Sequence, residues 1–403
     1  MLFQFGLQSS LLLIFFFHIL VYAFLCFKRS FSQDNYADKL LGWFLLIAAL
    51  LIVPFMVGFA GWYDNQPYRD ILFFIPFVHS LFIGPLLYFY TRSIFNYSFR
   101  IKGANWLHFL PGFLYLFISV ATSLADLIFY KGYHFTNEYE DADFAECYTM
   151  LSMVSVLIYL FLAIRYYNQY KRYTAIATSF ADQASLKWLR NFLYAFALLS
   201  VLPIIRTILS NFEFFERMRY FGPWYYYLGF ALVVYYIAIN AFHAVHLPLH
   251  KLQFYPALLS GFDEPKILSP AETIEENSNS GMPVKSDEKM ITLGKELLEL
   301  MEKEFLFERA DLTLSEVAKK LGTNQVLLSR VVNQQFELNF NDYINQYRVN
   351  AVINRLAMPA FKNQTLLAIA FDAGFNSKAT FNRSFKKFTG KTPKDYLEPA
   401  YKA

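Results

Sequence analysis

The sequence predicts an all-α protein in two parts, a seven-helix transmembrane bundle followed by a soluble all-helical domain with two helix-turn-helix motifs. Three observations lead to this fold class. Long and nearly uncharged apolar runs fill residues 1–243 and then stop. A stretch rich in Pro, Ser and acidic residues comes next. In the last third of the chain, two short amphipathic helices separated by a glycine turn occur twice.

The composition agrees with two physical environments along one chain. Of the 403 residues, 56% are hydrophobic, 20% are aromatic and 17% are charged. One soluble core does not need 46 Phe and 29 Tyr, whereas a membrane and its interfaces accommodate them. The two cysteines, Cys26 and Cys147, are too few for a disulfide framework or a zinc site. The net charge of +4 is too small to indicate a partner.

Seven apolar stretches are long enough to cross a bilayer, whose hydrocarbon core takes about 20 apolar residues per helix. Loops 28–39, 92–106 and 168–187 hold nine Lys or Arg, whereas the loops that alternate with them hold four. Basic loops stay on the cytoplasmic side, so the N-terminus is predicted outside and the C-terminus inside. The seven stretches are residues 7–27, 40–63, 71–91, 107–130, 147–167, 188–210 and 223–243.

The changes in composition predict three regions. Residues 1–243 form a seven-span transmembrane domain, residues 244–286 form a juxtamembrane segment and an acidic flexible linker, and residues 287–403 form the soluble domain. The middle region contains Pro265 and Pro270 with an excess of acidic residues. Such a segment buries too little apolar surface to order itself, so we expect it to act as a tether.

The first helix-turn-helix motif lies in the run LTLSEVAKKLGTNQVLLSRVV, which begins at Leu312. Thr313 is followed three residues later by Glu316, and this capping box predicts the start of a helix. Gly322 ends that helix, and Asn324 is a suitable cap for the next one. Two short helices around a tight glycine turn are typical of a helix-turn-helix motif.

The same pattern returns 52 to 53 residues later, which indicates an internal duplication. In the second copy Gly374 takes the turn position and Ser377 caps the second helix. Between the copies, the apolar spacing predicts one amphipathic helix over 340–357. This helix would fix the distance between the two motifs, and Arg348 within it is expected to have a structural role.

On these residues, the region 290–398 is identified as similar to the AraC/XylS-type DNA-binding domain. The run IAFDAGFNSKATFNRSFKKFTGKTPKDY, from Ile369 to Tyr396, resembles the signature of that family, although Ala368 stands where an acid is common. The resemblance implies a bacterial transcription regulator, more often an activator, that lays two recognition helices into adjacent major-groove segments on one face of DNA. The seven-span region looks like the membrane-anchored branch of the family, which has an N-terminal multi-span region.

The N-terminal half of each recognition helix is expected to read base edges in the major groove. Arginine bonds guanine and asparagine bonds adenine, whereas nearby lysines suit phosphates. An ordinary solvated helix face is the alternative interpretation. The predicted base contacts are Val326, Ser329, Arg330, Lys378, Ala379, Asn382 and Arg383, and the predicted phosphate contacts are Lys386, Lys387, Lys391 and Lys394.

Ionisable groups inside a membrane are costly and are therefore candidates for function. His79, Asp126 and Arg206 lie in the outer halves of their predicted spans, where they predict a signal pocket that opens outward. An interfacial ion pair, or side chains that reach to the membrane surface, is the structural alternative, and the residues alone favour it.

No metal ion, cofactor or enzymatic activity is predicted. His243, His246 and His250 share a helical face, but Pro248 disrupts that helix and no carboxylate joins the three imidazoles. The chain also contains no catalytic triad, P-loop, paired acid cluster or Cys-x-x-Cys motif that we find by spacing.

The sequence therefore favours a membrane-bound, sequence-specific DNA-binding transcriptional regulator, a one-component sensor of a membrane or extracytoplasmic signal. DNA and membrane must share a compartment, which indicates the bacterial cytoplasmic (inner) membrane. The expected partners are double-stranded promoter DNA, the lipid bilayer, RNA polymerase, a second copy in a homodimer, and an unidentified small-molecule or envelope signal. Two alternatives stay open: a transporter or membrane enzyme with an autoregulatory DNA-binding tail, and a receptor whose spans only anchor and dimerise the tail.

Overall fold

The computed structural model describes residues 4–135, 145–209, 222–244, 254, 259, 284–358 and 364–401. These residues are mostly helical and contain no β-sheet, so the predicted all-α fold class is confirmed. The chain divides into two compact units. The apolar unit comprises Met1–Tyr167 and Lys187–Gln253, and the C-terminal unit comprises Asn168–Leu186 and Phe254–Ala403.

The helices of the apolar unit follow the predicted apolar stretches. They are α1 (Leu7–Gln33), α2 (Tyr36–Gly58), α3 (Tyr68–Phe74), α4 (Ile83–Phe95), α5 (Leu110–Ala125), α6 (Ala145–Ala177), α8 (Lys187–Leu209) and α9 (Gly222–His243). The short α7 (Ala181–Ala184) and the end of α6, from Asn168 onward, belong to the C-terminal unit. Helix α2 contacts α1, α4 and α9 and buries 13 of its 23 residues, so it forms the centre of the apolar unit.

Six helices among the described residues are long and apolar enough to cross a membrane. Large apolar side chains cover their outer faces, and Phe117 and Phe129 are exposed examples. A surface of this kind associates in water but is well solvated in a bilayer. The six segments are Leu7–Gln33, Tyr36–Gly58, Gly103–Tyr130, Cys147–Ala177, Lys187–Ile205 and Trp224–His243.

The third predicted span, residues 71–91, is not one helix, and that prediction is corrected. Helix α3 ends at Phe74, and α4 begins only at Ile83, after a 3-10 turn. Pro76 explains the break, because proline has no N–H to donate and disfavours helical backbone at the residue before it. The carbonyl oxygen of Pro76 lies 2.8 Å from the Nε2 atom of His79, so the interruption has its own hydrogen bond.

A buried ion pair joins α1, α2 and α9. The Nε and Nη2 atoms of Arg29 donate to the two carboxylate oxygens of Asp38 at 2.5 and 2.6 Å. The Nη1 atom donates to the carbonyl oxygen of Phe242 at 2.6 Å. Paired in this way, a buried guanidinium is stabilised by two parallel charge-assisted hydrogen bonds. In the sequence, Arg29 was counted only as a basic residue of loop 28–39, because no local pattern pairs it with Asp38.

The C-terminal unit is arranged around one long helix between the two motifs. Its helices are α10 (Val284–Lys303), α11 (Leu314–Lys320), α12 (Gln325–Phe336), α13 (Phe340–Leu356), α14 (Leu366–Asp372), α15 (Lys378–Thr389) and α16 (Pro393–Tyr401). Helix α13 contacts α12 of the first motif and α14 and α15 of the second, so the predicted connecting helix is confirmed. The predicted linker, residues 244–286, lies largely outside the described residues, and its flexibility stays a prediction.

Two glycines with positive φ occupy the turns of the two motifs. Gly374 has φ +96°, and a Cβ atom there would lie 2.6 Å from the carbonyl oxygen of Phe307. Gly322 has φ +62°, with open space around the same position. The first turn therefore needs glycine for its backbone conformation alone, and the second turn also needs it for space.

We predict that Gly374→Ala lowers the free energy of unfolding of the C-terminal unit by about 2–3 kcal/mol, and Gly322→Ala by about 1 kcal/mol. The larger loss reflects the clash with the backbone at Phe307. Pulse proteolysis of the full chain in urea measures both variants. Equal losses would show that the close approach at Gly374 adds nothing to the cost of its φ angle.

Candidate nucleic-acid interface

Side-chain caps fix where each recognition helix and its partner begin. The Oγ1 atom of Thr313 accepts the N–H of Glu316 at 3.2 Å, and the Glu316 carboxylate accepts the N–H of Thr313 at 3.1 Å. The Asn324 side chain caps α12, and the Oγ atom of Ser377 accepts the N–H of Thr380 at the start of α15 at 3.1 Å. All three predicted caps are confirmed. They determine which side chains lie on the first turns of α12 and α15.

The second motif has its own apolar core, which orients α15. The rings of Phe375, Phe381 and Phe385 pack edge to face in sequence, with centroids 5.3 and 5.5 Å apart. These rings bury one face of α15 and leave the opposite face to solvent. The buried cluster consists of Val349, Val352, Ile369, Ala370, Ala373, Phe375, Phe381 and Phe385.

The exposed face of α15 forms a basic groove with α16. The volume of this groove is about 960 Å³, and no acidic side chain is among the residues that line it. Six of the residues predicted to contact DNA lie together on this surface, so its potential attracts phosphate. The lining residues are Leu366, Lys378, Ala379, Asn382, Arg383, Lys386, Thr392, Pro393, Lys394 and Leu397.

The other two predicted phosphate contacts lie outside this groove. Lys391 is exposed just after α15. The Nζ atom of Lys387 lies 2.7 Å from a carboxylate oxygen of Asp342, so it links α15 to α13. Contact between Lys387 and phosphate stays a prediction, but in this structure the ammonium already has an acidic partner.

The first recognition helix presents fewer of its predicted residues. Arg330 is exposed on α12 and Val326 is half-buried. Ser329, however, is only 1% exposed, so a base contact from Ser329 is excluded in this conformation and that prediction is corrected. Helical spacing predicts which residues share a face but not which neighbours cover that face. Gln325, which takes the first position of α12 as Lys378 takes the first position of α15, was missed and could have been found by aligning the two copies.

Arg348 on α13 is fully buried, and each of its five N–H groups has an acceptor. Nε donates to the carbonyl oxygen of Phe307 at 2.7 Å. The Nη1 atom donates to Oδ1 of Asn345 at 3.3 Å and to the carbonyl oxygen of Ser179 at 3.1 Å. The Nη2 atom donates to the carbonyl oxygen of Arg309 at 2.7 Å and to the hydroxyl oxygen of Ser179 at 3.0 Å. Burial lowers the pKa of Arg348 to about 9, so the side chain is still charged at neutral pH. Its predicted structural role is confirmed.

The residues predicted to form a signal pocket bind local backbone groups. His79 is buried and its ring contacts the backbone of Pro76. Asp126 is buried at the end of α5, where its carboxylate accepts the backbone N–H groups of His134 and Phe135 at 2.9 to 3.1 Å. Arg206 is part of α8, but its side chain lies outside the described residues. These contacts give His79 and Asp126 a local structural role, and the signal pocket stays a prediction.

Comparison with known proteins agrees with the geometry of the C-terminal unit. A family model described as a helix-turn-helix domain matches residues 317–399. An uncharacterized HTH-type transcriptional regulator of Staphylococcus aureus is 34% identical over 86 residues, which are 21% of this chain and 11% of the relative. The HTH-type transcriptional regulator YtdP of Bacillus subtilis is 24% identical over 165 residues, 40% of this chain and 21% of the relative. No solved structure matches the chain.

The C-terminal end of the chain is therefore a DNA-binding helix-turn-helix domain of the AraC type, similar to domains of transcriptional regulators. The match covers only a small part of each relative's length. It does not extend to the apolar unit.

We predict that Arg348→Lys lowers the free energy of unfolding of the C-terminal unit by about 2–4 kcal/mol, because an ammonium group cannot serve five separate acceptors. Arg330→Lys, on the exposed face of α12, is the matched control and should stay within about 0.5 kcal/mol of the native chain. Urea pulse proteolysis of the full chain compares them. The five hydrogen bonds would add no stability if the two variants unfold at the same urea concentration.

Proposed function

We propose that this protein is a membrane-bound, sequence-specific regulator of transcription that reads double-stranded promoter DNA with α12 and α15. The observation that carries the proposal is the basic groove on α15. Asn382 and Arg383 lie there on the exposed first two turns, the part of a recognition helix that approaches base edges. Arginine suits guanine and asparagine suits adenine, while Lys386 and Lys394 beside them suit phosphates.

Each recognition helix is assigned its own major-groove segment. Arg330 on α12 takes the position in the first motif that Arg383 takes in the second. Helix α13 contacts both motifs, which supports a fixed separation of the two reading helices. Two contact sites about one helical turn of DNA apart, or about 10 bp, follow from that arrangement.

Six helices that are long and apolar enough to cross a membrane support a location in the bacterial cytoplasmic membrane, as in the membrane-anchored branch of the family that the sequence resembles. Helices α3 and α4 would together make the third of seven crossings, as a discontinuous helix whose break carries the hydrogen bond between His79 and the Pro76 carbonyl oxygen. The nine-to-four distribution of basic residues supports an outer N-terminus and a cytoplasmic C-terminus. Further support comes from the basic loop 168–187, since all but its last residue belong to the same compact unit as the two motifs.

The apolar unit would receive a membrane or extracytoplasmic signal and pass it to the DNA-binding domain. As a regulator, the protein would act on RNA polymerase, and a homodimer would add a second pair of recognition helices. A signal pocket at His79, Asp126 and Arg206 has less support, because the first two already bind backbone groups.

We predict that the full chain in lipid nanodiscs retains duplexes from a random-sequence library, with an affinity that falls steeply as salt rises. On the selected duplex, Arg383→Ala should cost about 1–3 kcal/mol and relax the preference at one base pair, and Arg330→Ala should do the same about 10 bp away. Lys303→Ala, which removes an exposed charge on α10, is the control. Fluorescence anisotropy and repeated selection measure affinity and preference.

Two results would contradict this proposal. If the chain retains no duplex at any salt concentration, its C-terminal unit is not a DNA reader. If Arg383→Ala and Lys303→Ala bind selected and random DNA alike, α15 does not read bases. In the first case a transporter or membrane enzyme becomes the better description of the chain.

The orientation is predicted separately. In a chain with Cys26 and Cys147 replaced by Ser, a membrane-impermeant maleimide added to intact cells should label Lys131→Cys, beyond α5. It should not label Ala104→Cys, in the basic loop before α5, until the cells are opened. Both positions are exposed, so accessibility within the protein is matched. The reverse pattern would put the C-terminal unit outside and remove the proposed function.

A further inference from the structure

A short segment from the middle of the chain packs onto the DNA-binding domain within the C-terminal unit. This docking segment, residues Asn168–Leu186, comprises the end of α6, the helix α7 and the turns around them. Thr178 and Thr313 form an antiparallel bridge, and the N–H of Ser179 donates to the carbonyl oxygen of Leu312 at 3.1 Å. The Nδ2 atom of Asn341 donates to the carbonyl oxygen of Thr178 at 2.8 Å. Thr178 and Ser179 are fully buried there.

Docking also completes the environment of Arg348. Two of the five acceptors around its guanidinium are the carbonyl and hydroxyl oxygens of Ser179. The other three belong to the DNA-binding domain itself. If the segment leaves, two N–H donors of a buried cation need new acceptors, and water entering the vacated space can supply them. The docked and undocked arrangements therefore differ in what solvates the Arg348 guanidinium, which is either Ser179 or water.

The docking segment also reaches the first recognition helix. The hydroxyl group of Tyr173 donates to Oε1 of Gln325, the first residue of α12, at 3.3 Å. Tyr173 is only 3% exposed, and its ring lies 5.3 Å from that of Phe254, which in turn contacts Tyr170. Three packed rings thus hold the tyrosine hydroxyl at the end of α12 that approaches bases.

The duplicated motif supplies an internal comparison. Gln325 and Ser329 lie one turn apart on one edge of α12, and the matching residues of α15, 53 positions later, are Lys378 and Asn382. Both residues of α15 are exposed, whereas Gln325 is half-buried and Ser329 is buried. Helix α10 also packs on α12, and its hydrogen bond to Gln335 lies about a third of a turn around α12 from Ser329. Tyr173 contacts the covered edge at Gln325.

We propose that the docking segment is a built-in inhibitor that covers the base-reading edge of the first recognition helix and withdraws when α6 moves. The proposal rests on DNA recognition by α12 and α15. Helix α6 is continuous from Ala145 to Ala177, so a displacement within its apolar part reaches Tyr173 without a flexible joint. In the docked state only α15 reads its segment of DNA, and in the undocked state both helices do.

A reversible crosslink tests this in one molecule. Residues paired across an antiparallel bridge have Cα atoms about 4.5–5.5 Å apart, within the range that a disulfide spans. Thr178→Cys and Thr313→Cys are therefore combined in a chain whose exposed Cys147 is Ser. The probe is the duplex that the reduced chain, in nanodiscs, selects from a random-sequence library. Oxidation locks the segment in place and reduction frees it, while the loss of the Thr313 cap is common to both states.

We expect oxidation to weaken binding of this duplex by roughly tenfold or more, since the base contacts of one helix are lost. Arg330→Ala should weaken binding only in the reduced chain, whereas Arg383→Ala should weaken it in both states. If the oxidised and reduced chains bind equally and both depend on Arg330, DNA recognition stands and the inhibitor is refuted. If neither chain retains any duplex, the proposed function itself fails, and this inference fails with it.

Point variants of the otherwise native chain give a second measurement. Tyr173→Phe removes only the hydroxyl that bonds Gln325, and Ser179→Ala removes one acceptor of Arg348. Each should raise the affinity of the full chain for the same duplex by roughly two- to tenfold, because the docked state loses one hydrogen bond. Ala175→Ser, on the exposed side of the same segment, is the matched control and should change nothing. Unchanged affinity in both variants would contradict the proposal.

Discussion

The C-terminal unit depends on the solvation of one buried cation. A guanidinium that is removed from water and has no carboxylate bonded to it must place all five of its donors on neutral oxygens, or it costs several kcal/mol. Arg348 meets this requirement by drawing together oxygens from three separate stretches of the chain, including Ser179 of the docking segment. The carbonyl oxygens of Phe307 and Arg309 tie the loop before the first motif to α13. The same charge therefore orients the connecting helix and receives the docking segment.

The two motifs share the same local structure but differ in what packs around them. Both begin their recognition helices with a side-chain cap, and both turn at a glycine with positive φ. The second motif adds a tight backbone contact at Gly374 and a core of phenylalanine rings, and its reading face is open. The first motif lies against the docking segment, and the edge of α12 that holds Gln325 and Ser329 is partly covered. The motif with the exposed reading face is thus the one with the close backbone contact at Gly374 and the phenylalanine core.

Local patterns in the sequence were sufficient for everything that depends on neighbours within a few residues. The capping box at Thr313, the caps at Asn324 and Ser377, the connecting helix and the apolar stretches were all predicted in this way. The break at Pro76 was also visible in the sequence, but the length of the apolar run outweighed it. Contacts that depend on tertiary packing could not be predicted. The bonds of Arg348 to Ser179 join residues 169 positions apart, and the burial of Ser329 depends on the packing of α12. Arg29 and Asp38 are only nine positions apart, but their ion pair was missed because it forms between two different helices.

The continuity of α6 determines how large a movement would release the docking segment from α12. Side-chain tips on an α-helix lie about 5–6 Å from its axis, so a rotation of about 30° carries a tip through about 3 Å. That distance is comparable with the 3.3 Å between the Tyr173 hydroxyl and Gln325. A modest twist of one helix is therefore enough to break the contact, with no change in the length of any span and no reordering of the bundle. For the inhibitor proposed above, a rotation of this size would be the whole movement that a signal has to cause.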